Sequence, residues 1–266
     1  MTPRARPGRA GFSNITSTVI LTSVLLSIMI VASYLSNDVL TTQIAASEFK
    51  TAEDLTKTID SEIRKLMFKP GSSSIIKVSF STTAPGFTKT GQNMIITFTG
   101  QSPCPIEANQ LNIEGRQQIG GSFNYTLQGD SSLIIWPYNG SLGRICISKP
   151  LNWRVSLDYE RALCTFTGIV NLYDGAVYTP QNTVEVTAIA LDFGDFTVTA
   201  NSLILIQNER VETKTFTLTG NWNAIVSLPG IPNKTVSLVD MGGKENYKSL
   251  VNFHTIYIKI SVLEGG

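Results

Sequence analysis

One histidine, three cysteines and a thin scatter of carboxylates are what this chain offers for bond-making chemistry. His254 could serve a Ser or Cys nucleophile with an acid behind it. No nucleophile elbow accompanies it, and Asn252-Phe253-His254 reads as strand. An electron-transfer copper site needs two histidines and a cysteine, which a single histidine excludes. No closely spaced cysteine pair makes a zinc knuckle, and no glycine loop of the P-loop or dinucleotide type would cradle phosphate. Asp192 and Asp195 bracket Phe193-Gly194 in a turn-like stretch, either a weak Ca²⁺ loop or acids placed by ordinary turn chemistry. No metal and no organic cofactor is expected, and a hydrolase would need a cleft with paired acids.

Composition points the same way. The 266 residues are 42% hydrophobic and only 15% charged, with a formal net charge of +1. A nucleic-acid binder needs clustered Lys and Arg to neutralise phosphates, so that class is disfavoured. A binding or structural protein is favoured over an enzyme.

The elements that must carry such a function begin with an apolar run. From Ile15 to Leu35 there is no charge, Pro or Gly. About 21 residues at 1.5 Å each reach roughly 30 Å, the thickness of a hydrocarbon core. Arg4, Arg6 and Arg9 precede the run and Asp38 follows it, which places the N-terminus in the cytoplasm and the bulk of the chain outside. Three readings are open. A secretory signal would use Val31-Ala32-Ser33 as its cleavage site, although the run exceeds the usual signal core. An uncut anchor is the second. In the third, cleavage precedes the run and leaves it on the mature protein.

No Pro or Gly occurs between Phe12 and Lys69, and beyond the apolar run Leu40, Ile44, Phe49, Ala52, Leu55, Ile59, Ile63 and Leu66 recur mostly three or four apart. That is the stripe of an amphipathic helix. Glu53 with Lys57 and Asp60 with Arg64 are expected on the opposite, wet face as i, i+4 pairs. Lys69-Pro70-Gly71 ends the helix, which at about 55 residues would be about 80 Å long. Small side chains at Thr18 and Thr22, and at Ser23 and Ser27, lie one turn apart and permit close helix approach, or simply bond back to their own carbonyls.

Arg9-Ala10-Gly11-Phe12, a short basic leader meeting a small residue and then an apolar helix, resembles the prepilin signal of archaeal type IV pilins and archaellum-related proteins. The resemblance covers about the first 60 residues. It implies cleavage by a prepilin peptidase between Ala10 and Gly11 or between Gly11 and Phe12, and export through a pilus assembly platform. The glutamate that bacterial pilins carry at the fifth mature position is replaced here by Ile15 or Thr16. In a filament the helix would pack against copies of itself, with Thr18, Thr22, Ser23, Ser27, Phe49, Leu55 and Ile59 as the assembly residues. Removal of the helix up to Lys69 is expected to leave a soluble monomeric head.

After the linker at 69–74 the hydrophobic period falls to 2. Strands are expected at Met94–Thr99, Ser132–Trp136, Val184–Ile189, Asp195–Thr199, Thr213–Leu218 and Ile256–Val262. The fold class is therefore α+β: leader 1–11, transmembrane and amphipathic stem 12–68, and an all-β head 75–266. The head forms one large β-sandwich or two small ones divided near Tyr178-Thr179-Pro180-Gln181. Ser, Thr and Asn dominate the outward positions, and Asn124, Asn139 and Asn233 head glycosylation triplets. Cys104, Cys146 and Cys164 allow at most one intramolecular disulfide, or remain buried thiols; Cys104 is expected in a loop. The sequence thus points to a filament subunit with an adhesive head, or alternatively to a permanently anchored extracellular module contacting a surface layer or ligand.

Overall fold

A single helix, α1, runs unbroken over Ala10–Leu66, 57 residues. At 1.5 Å per residue that is about 85 Å. The computed structural model describes residues 10–79, 86–115, 122–136, 140–149, 152–173, 175–194 and 201–263. The helix has two environments. Its lower part stands clear of the rest of the protein, with Leu40 still 54% exposed. From Ala45 upward it lies on the head, and Ala45, Ala52, Leu55, Ile59, Ile63, Leu66 and Met67 are buried. The predicted apolar stripe is therefore the buried stripe from Ala52 onward, with Phe49 half-buried at its lower end. The predicted wet face is not fully wet, because Glu53 and Asp60 are buried while Lys57 and Arg64 carry their charges outward.

The helix stops because its last carbonyls acquire partners that end the ladder. Met67 N–H still donates to Ile63 O and Lys69 N–H to Leu66 O, but Pro70 removes a donor and Gly71 turns with φ +79°. Asn208, far along the chain, donates its side-chain amide to Leu66 O (2.8 Å) and Met67 O (3.0 Å). Its backbone exchanges bonds with Gly71 and Ser72. The stretch expected to be a linker is thus pinned at both sides, and Ser73 and Ser74 already belong to the first strand.

That strand is β1 (Ser73–Ser79), followed by β2 (Gly86–Phe98), β3 (Cys104–Glu114), β4 (Phe123–Gln128), β5 (Ile134–Ile135), β6 (Arg144–Lys149) and β7 (Arg154–Asp158). Then come β8 (Ala162–Tyr173), β9 (Tyr178–Phe193), β10 (Asn201–Leu218), β11 (Asn223–Leu228), β12 (Ile231–Ser237) and β13 (Lys248–Leu263). They form a six-stranded sheet in the order β1-β10-β13-β9-β8-β5 and a seven-stranded sheet in the order β12-β11-β2-β3-β7-β6-β4. Pairing is antiparallel except for β13 with β9 and β5 with β8. The protein is one long apolar-headed helix followed by a mostly β domain. The strand expected at Asp195–Thr199 lies outside the described residues.

Two hydrophobic cores share the same strands. β9 sends Ile189, Leu191 and Phe193 into the core under the helix, and Val184, Val186, Ala188 and Ala190 into the second. Successive side chains alternate across a strand, so these sets leave from opposite faces. β13 divides likewise, with Ile256, Ile258 and Ile260 in the first core and Val251 and Phe253 in the second. The expected division near Tyr178-Thr179-Pro180-Gln181 is therefore not a boundary. Those residues open β9, and Tyr173 pairs with Tyr178 across a hairpin.

The three cysteines are free thiols: Cys104 begins β3 rather than lying in a loop, Cys146 is on β6 and Cys164 on β8. Burial pushes the Cys164 thiol up to about 12, so it stays protonated and inert.

The helix residues in the first core also correct the expectation that a cut at Lys69 would release a soluble head. A chain beginning near Thr42 should be a soluble, folded monomer. One beginning at Lys69 loses Ala52, Leu55, Ile59 and Ile63 from the core and should be insoluble or unfolded. Circular dichroism and sedimentation of the two truncations check this.

Candidate membrane stem and its seat on the head

The exposed part of α1 is its most apolar part. The helix from Thr16 contains an 18-residue window of mean hydropathy 2.2, none of it buried inside the protein. Leucine, isoleucine and valine side chains from Val19 to Leu40 stand roughly half to two-thirds in the open. By length and composition this segment can cross a membrane. Two hydroxyls within it are turned back on their own helix: Thr22 Oγ1 donates to Thr18 O (2.9 Å) and Ser27 Oγ to Ser23 O (2.9 Å). Such back-bonding satisfies a polar group without water or a neighbour. Ala10, Gly11 and Phe12 are in the first turn of α1, and Arg9 lies outside the described residues.

Above the exposed run the helix is seated by aromatics first. Phe49 meets Trp153 edge-on at 5.6 Å and Phe123 at 6.3 Å between centroids. Trp153 is itself enclosed and leaves no room for a side chain at Gly115, where a Cβ would lie 2.0 Å from the indole. Phe49, Leu55 and Ile59, expected to serve assembly, are thus occupied by the head.

Three turns higher sits a buried carboxylate. Asp60 is 1% exposed and accepts hydrogen bonds from Tyr159 Oη (2.7 Å) and Gln128 Nε2 (2.8 Å). Arg64, one turn on, donates to the same carboxylate and to Ser141. Gly143 lies close enough that a Cβ there would be 1.9 Å from Asp60 Oδ1. Apart from Arg64, which is on α1 itself, the groups around Asp60 come from different stretches of the head, so one side chain holds α1 to β4, to the turn before β6 and to the end of β7. Burial, reinforced by the Asp60 charge, pushes the Tyr159 phenol well above its usual value.

Next to this seat is a second polar cluster. Asp158, fully buried, takes Arg144 Nε at 2.9 Å and Arg161 Nη2 at 2.5 Å, and Arg161 also holds the backbone carbonyl of Asp130. Burial, and then the charge of Asp158, raise the Glu160 carboxyl. Sequence reasoning passed over these residues. The signal was present in Asp158-Tyr159-Glu160-Arg161, a dense charge run in a charge-poor chain.

The remaining candidates are dispersed. His254 forms a line on the six-stranded sheet, with Nδ1 2.9 Å from Thr213 Oγ1 and Nε2 against Glu185. The order hydroxyl–imidazole–carboxylate matches a hydrolytic triad. However, Asn252 and Thr215 continue it as a cross-strand polar ladder, and the flanking strand residues are in register with their neighbours. Asp192 is exposed at the end of β9, and Asp195 lies outside the described residues. Among the described residues no group of three or more His, Cys, Asp or Glu could hold a metal ion. Asn124 and Asn233 are exposed on β4 and β12, the two edge strands of the seven-stranded sheet, and Asn139 lies outside the described residues.

No protein family, curated protein or solved structure matches the chain.

If Asp60 fastens the stem, its loss should be costly. Asp60→Ala strands the Tyr159 hydroxyl and the Gln128 amide and should remove about 3 kcal/mol of stability, and Tyr159→Phe about 1 kcal/mol. Urea unfolding of the detergent-solubilised protein, followed by tryptophan fluorescence, reads both. The raised phenol also sets a pH dependence. The folded state keeps this proton more tightly than the unfolded chain, so the contribution is present below about pH 10 and falls as pH rises beyond it. Tyr159→Phe should flatten that alkaline loss.

Proposed function

We propose that this protein is a membrane-anchored surface subunit of a type IV pilus-like or archaellum-like filament. In this reading the N-terminus faces the cytoplasm and the sandwich-like β head is displayed outside for adhesion. The observation that carries it is the continuity of α1: one helix whose lower part is apolar and uncovered, and whose upper part is built into the head. A plain anchor needs only the lower part and a flexible joint. A stem that must carry a head in a fixed orientation within an ordered array needs both parts to be one rigid body. Arg9-Ala10-Gly11-Phe12 supplies the junction at which a prepilin peptidase would act, freeing the helix for an assembly platform. In the filament, the face from Thr18 to Ser27 would bury against other copies. No cofactor and no reaction is assigned, and Asn124, Asn139 and Asn233 would carry glycans on the outside.

A second reading is favoured by the back-bonded hydroxyls of Thr22 and Ser27, which suit a helix that stays in lipid as well as one that packs on copies. The protein would then be a permanently anchored module whose head binds a surface layer or a ligand.

The mature N-terminus separates the two. Intact mass and terminal sequencing of the protein from its native cell should find a start at Gly11 or Phe12, and Gly11→Val should abolish the cut together with sheared filaments. A start at or next to Met1 would leave the anchored module. A start after Ser33 would overturn both.

A further inference from the structure

The β8–β9 hairpin projects beyond both cores, and its β8 arm shows apolar side chains on both faces. Ile169, Val170, Leu172, Tyr173 and Tyr178 are between 43% and 69% exposed, and the two tyrosine rings lie 5.0 Å apart. Tyr178 precedes Leu191, under the helix, by 13 positions along β9. At 3.3 Å per residue, that puts the hairpin tip about 40 Å from the seat of the stem. The outer edge of β8 is open, since among the described residues β5 pairs only with Ala162 and Leu163. Edge strands normally carry charge or proline to discourage pairing, and Gly168–Tyr173 has neither. A bulge between Phe166 and Gly168 sets the lower limit of the regular run.

A lipid surface suits this hairpin poorly. In lipid the open backbone edge of β8 would lose water without gaining partners. A strand supplies those partners. We propose that the occupant is a second copy of this chain, its β8 pairing antiparallel with β8 about a twofold axis at Asn171. Opposed residues on antiparallel strands share a face, and the run Ile169-Val170-Asn171-Leu172-Tyr173 is self-complementary about its centre. Val170 then meets the second copy's Leu172 on one face, and Ile169 meets Tyr173 on the other. The two Asn171 amides meet at the axis, fixing the register, and no charge opposes a charge. The four β8 side chains leave roughly 400 Å² in water per copy, and edge pairing covers only the flanks that face the second strand. The contact therefore buries on the order of a few hundred Å² and its strength lies in the backbone ladder, the scale of a weak, reversible contact. Because the hairpin lies far from the stem, such pairing joins head to head between molecules on facing membranes or on neighbouring filaments. It goes beyond the filament reading and does not depend on it.

The full chain reconstituted at one copy per lipid nanodisc tests this by sedimentation over a concentration series. Wild-type discs should pair reversibly. The double variant Val170→Lys/Leu172→Lys, at exposed positions, should pair roughly tenfold or more weakly with an unchanged melting curve. In a Cys146→Ser background, Asn171→Cys should give a disulfide-linked pair under mild oxidation, whereas the same background without it, with Cys104 and Cys164 buried, should not. Wild-type discs that stay single at every concentration, or a double variant that pairs as well as wild type, overturn the proposal. Binding of wild-type discs to protein-free phosphatidylcholine vesicles, lost in the double variant, also overturns it and assigns the hairpin to lipid.

Discussion

A carboxylate removed from water must have its charge answered by neighbours, and Asp60 is answered from three directions at once. Tyr159, Gln128 and Arg64 meet on it, and Gly143 closes over it. A purely apolar stripe would bind the helix to the head with little preference for rotation or slip by one turn, since leucine and isoleucine are interchangeable at a greasy contact. Hydrogen bonds to one carboxylate are not interchangeable. A shift of one turn, about 5.4 Å, breaks both bonds that come from the head, those of Tyr159 and Gln128, while the Arg64 pair travels with the helix. The apolar contacts therefore supply adhesion between α1 and the head, and Asp60 supplies the register.

The second consequence of that register concerns the joint. Asn208 caps the helix with its side chain and grips the connecting residues with its backbone, while the same strand pairs with β1 on one side and β13 on the other. Orientation fixed at Asp60 is thereby handed directly to β10, β1 and β13. The polar cluster around Asp158 performs a similar task locally, gathering β6, β7 and the Asp130 loop around one buried charge.

Periodicity made the helix and several strands legible. A run without Gly or Pro and with apolar residues three or four apart can hardly be other than helix. The alternation in Ile256, Ile258 and Ile260 likewise announced β13. What periodicity could not convey was which face a charge occupies. Glu53 and Asp60 fit the pattern of exposed i, i+4 pairs because the pattern records spacing and not what approaches from elsewhere in the chain. Tyr159 and Gln128 arrive from far along the sequence. The same blindness produced the expected domain break at Tyr178-Thr179-Pro180-Gln181. Pro180 and the neighbouring polar residues look like a linker, yet they start a strand at the hairpin end, where the backbone donor that proline lacks is easily forgone. Within the stem, apolar length was readable. The inward turn of the Thr22 and Ser27 hydroxyls was legible only as one of two alternatives.

The sharing of β9 and β13 between two cores has a mechanical meaning. These neighbours run parallel and stay in register from Lys248 with Gln181 to Ile260 with Phe193. A pull between the hairpin tip and the stem acts along their length, so the ladder bonds are loaded together in shear instead of being peeled one by one. Each strand is also clamped on both faces, by one core near the stem and by the other nearer the tip. Sliding one strand past the other would have to open both cores in the same event. The domain is thus a tension member whose stiff axis runs from hairpin to helix, and traction along that axis meets its greatest resistance.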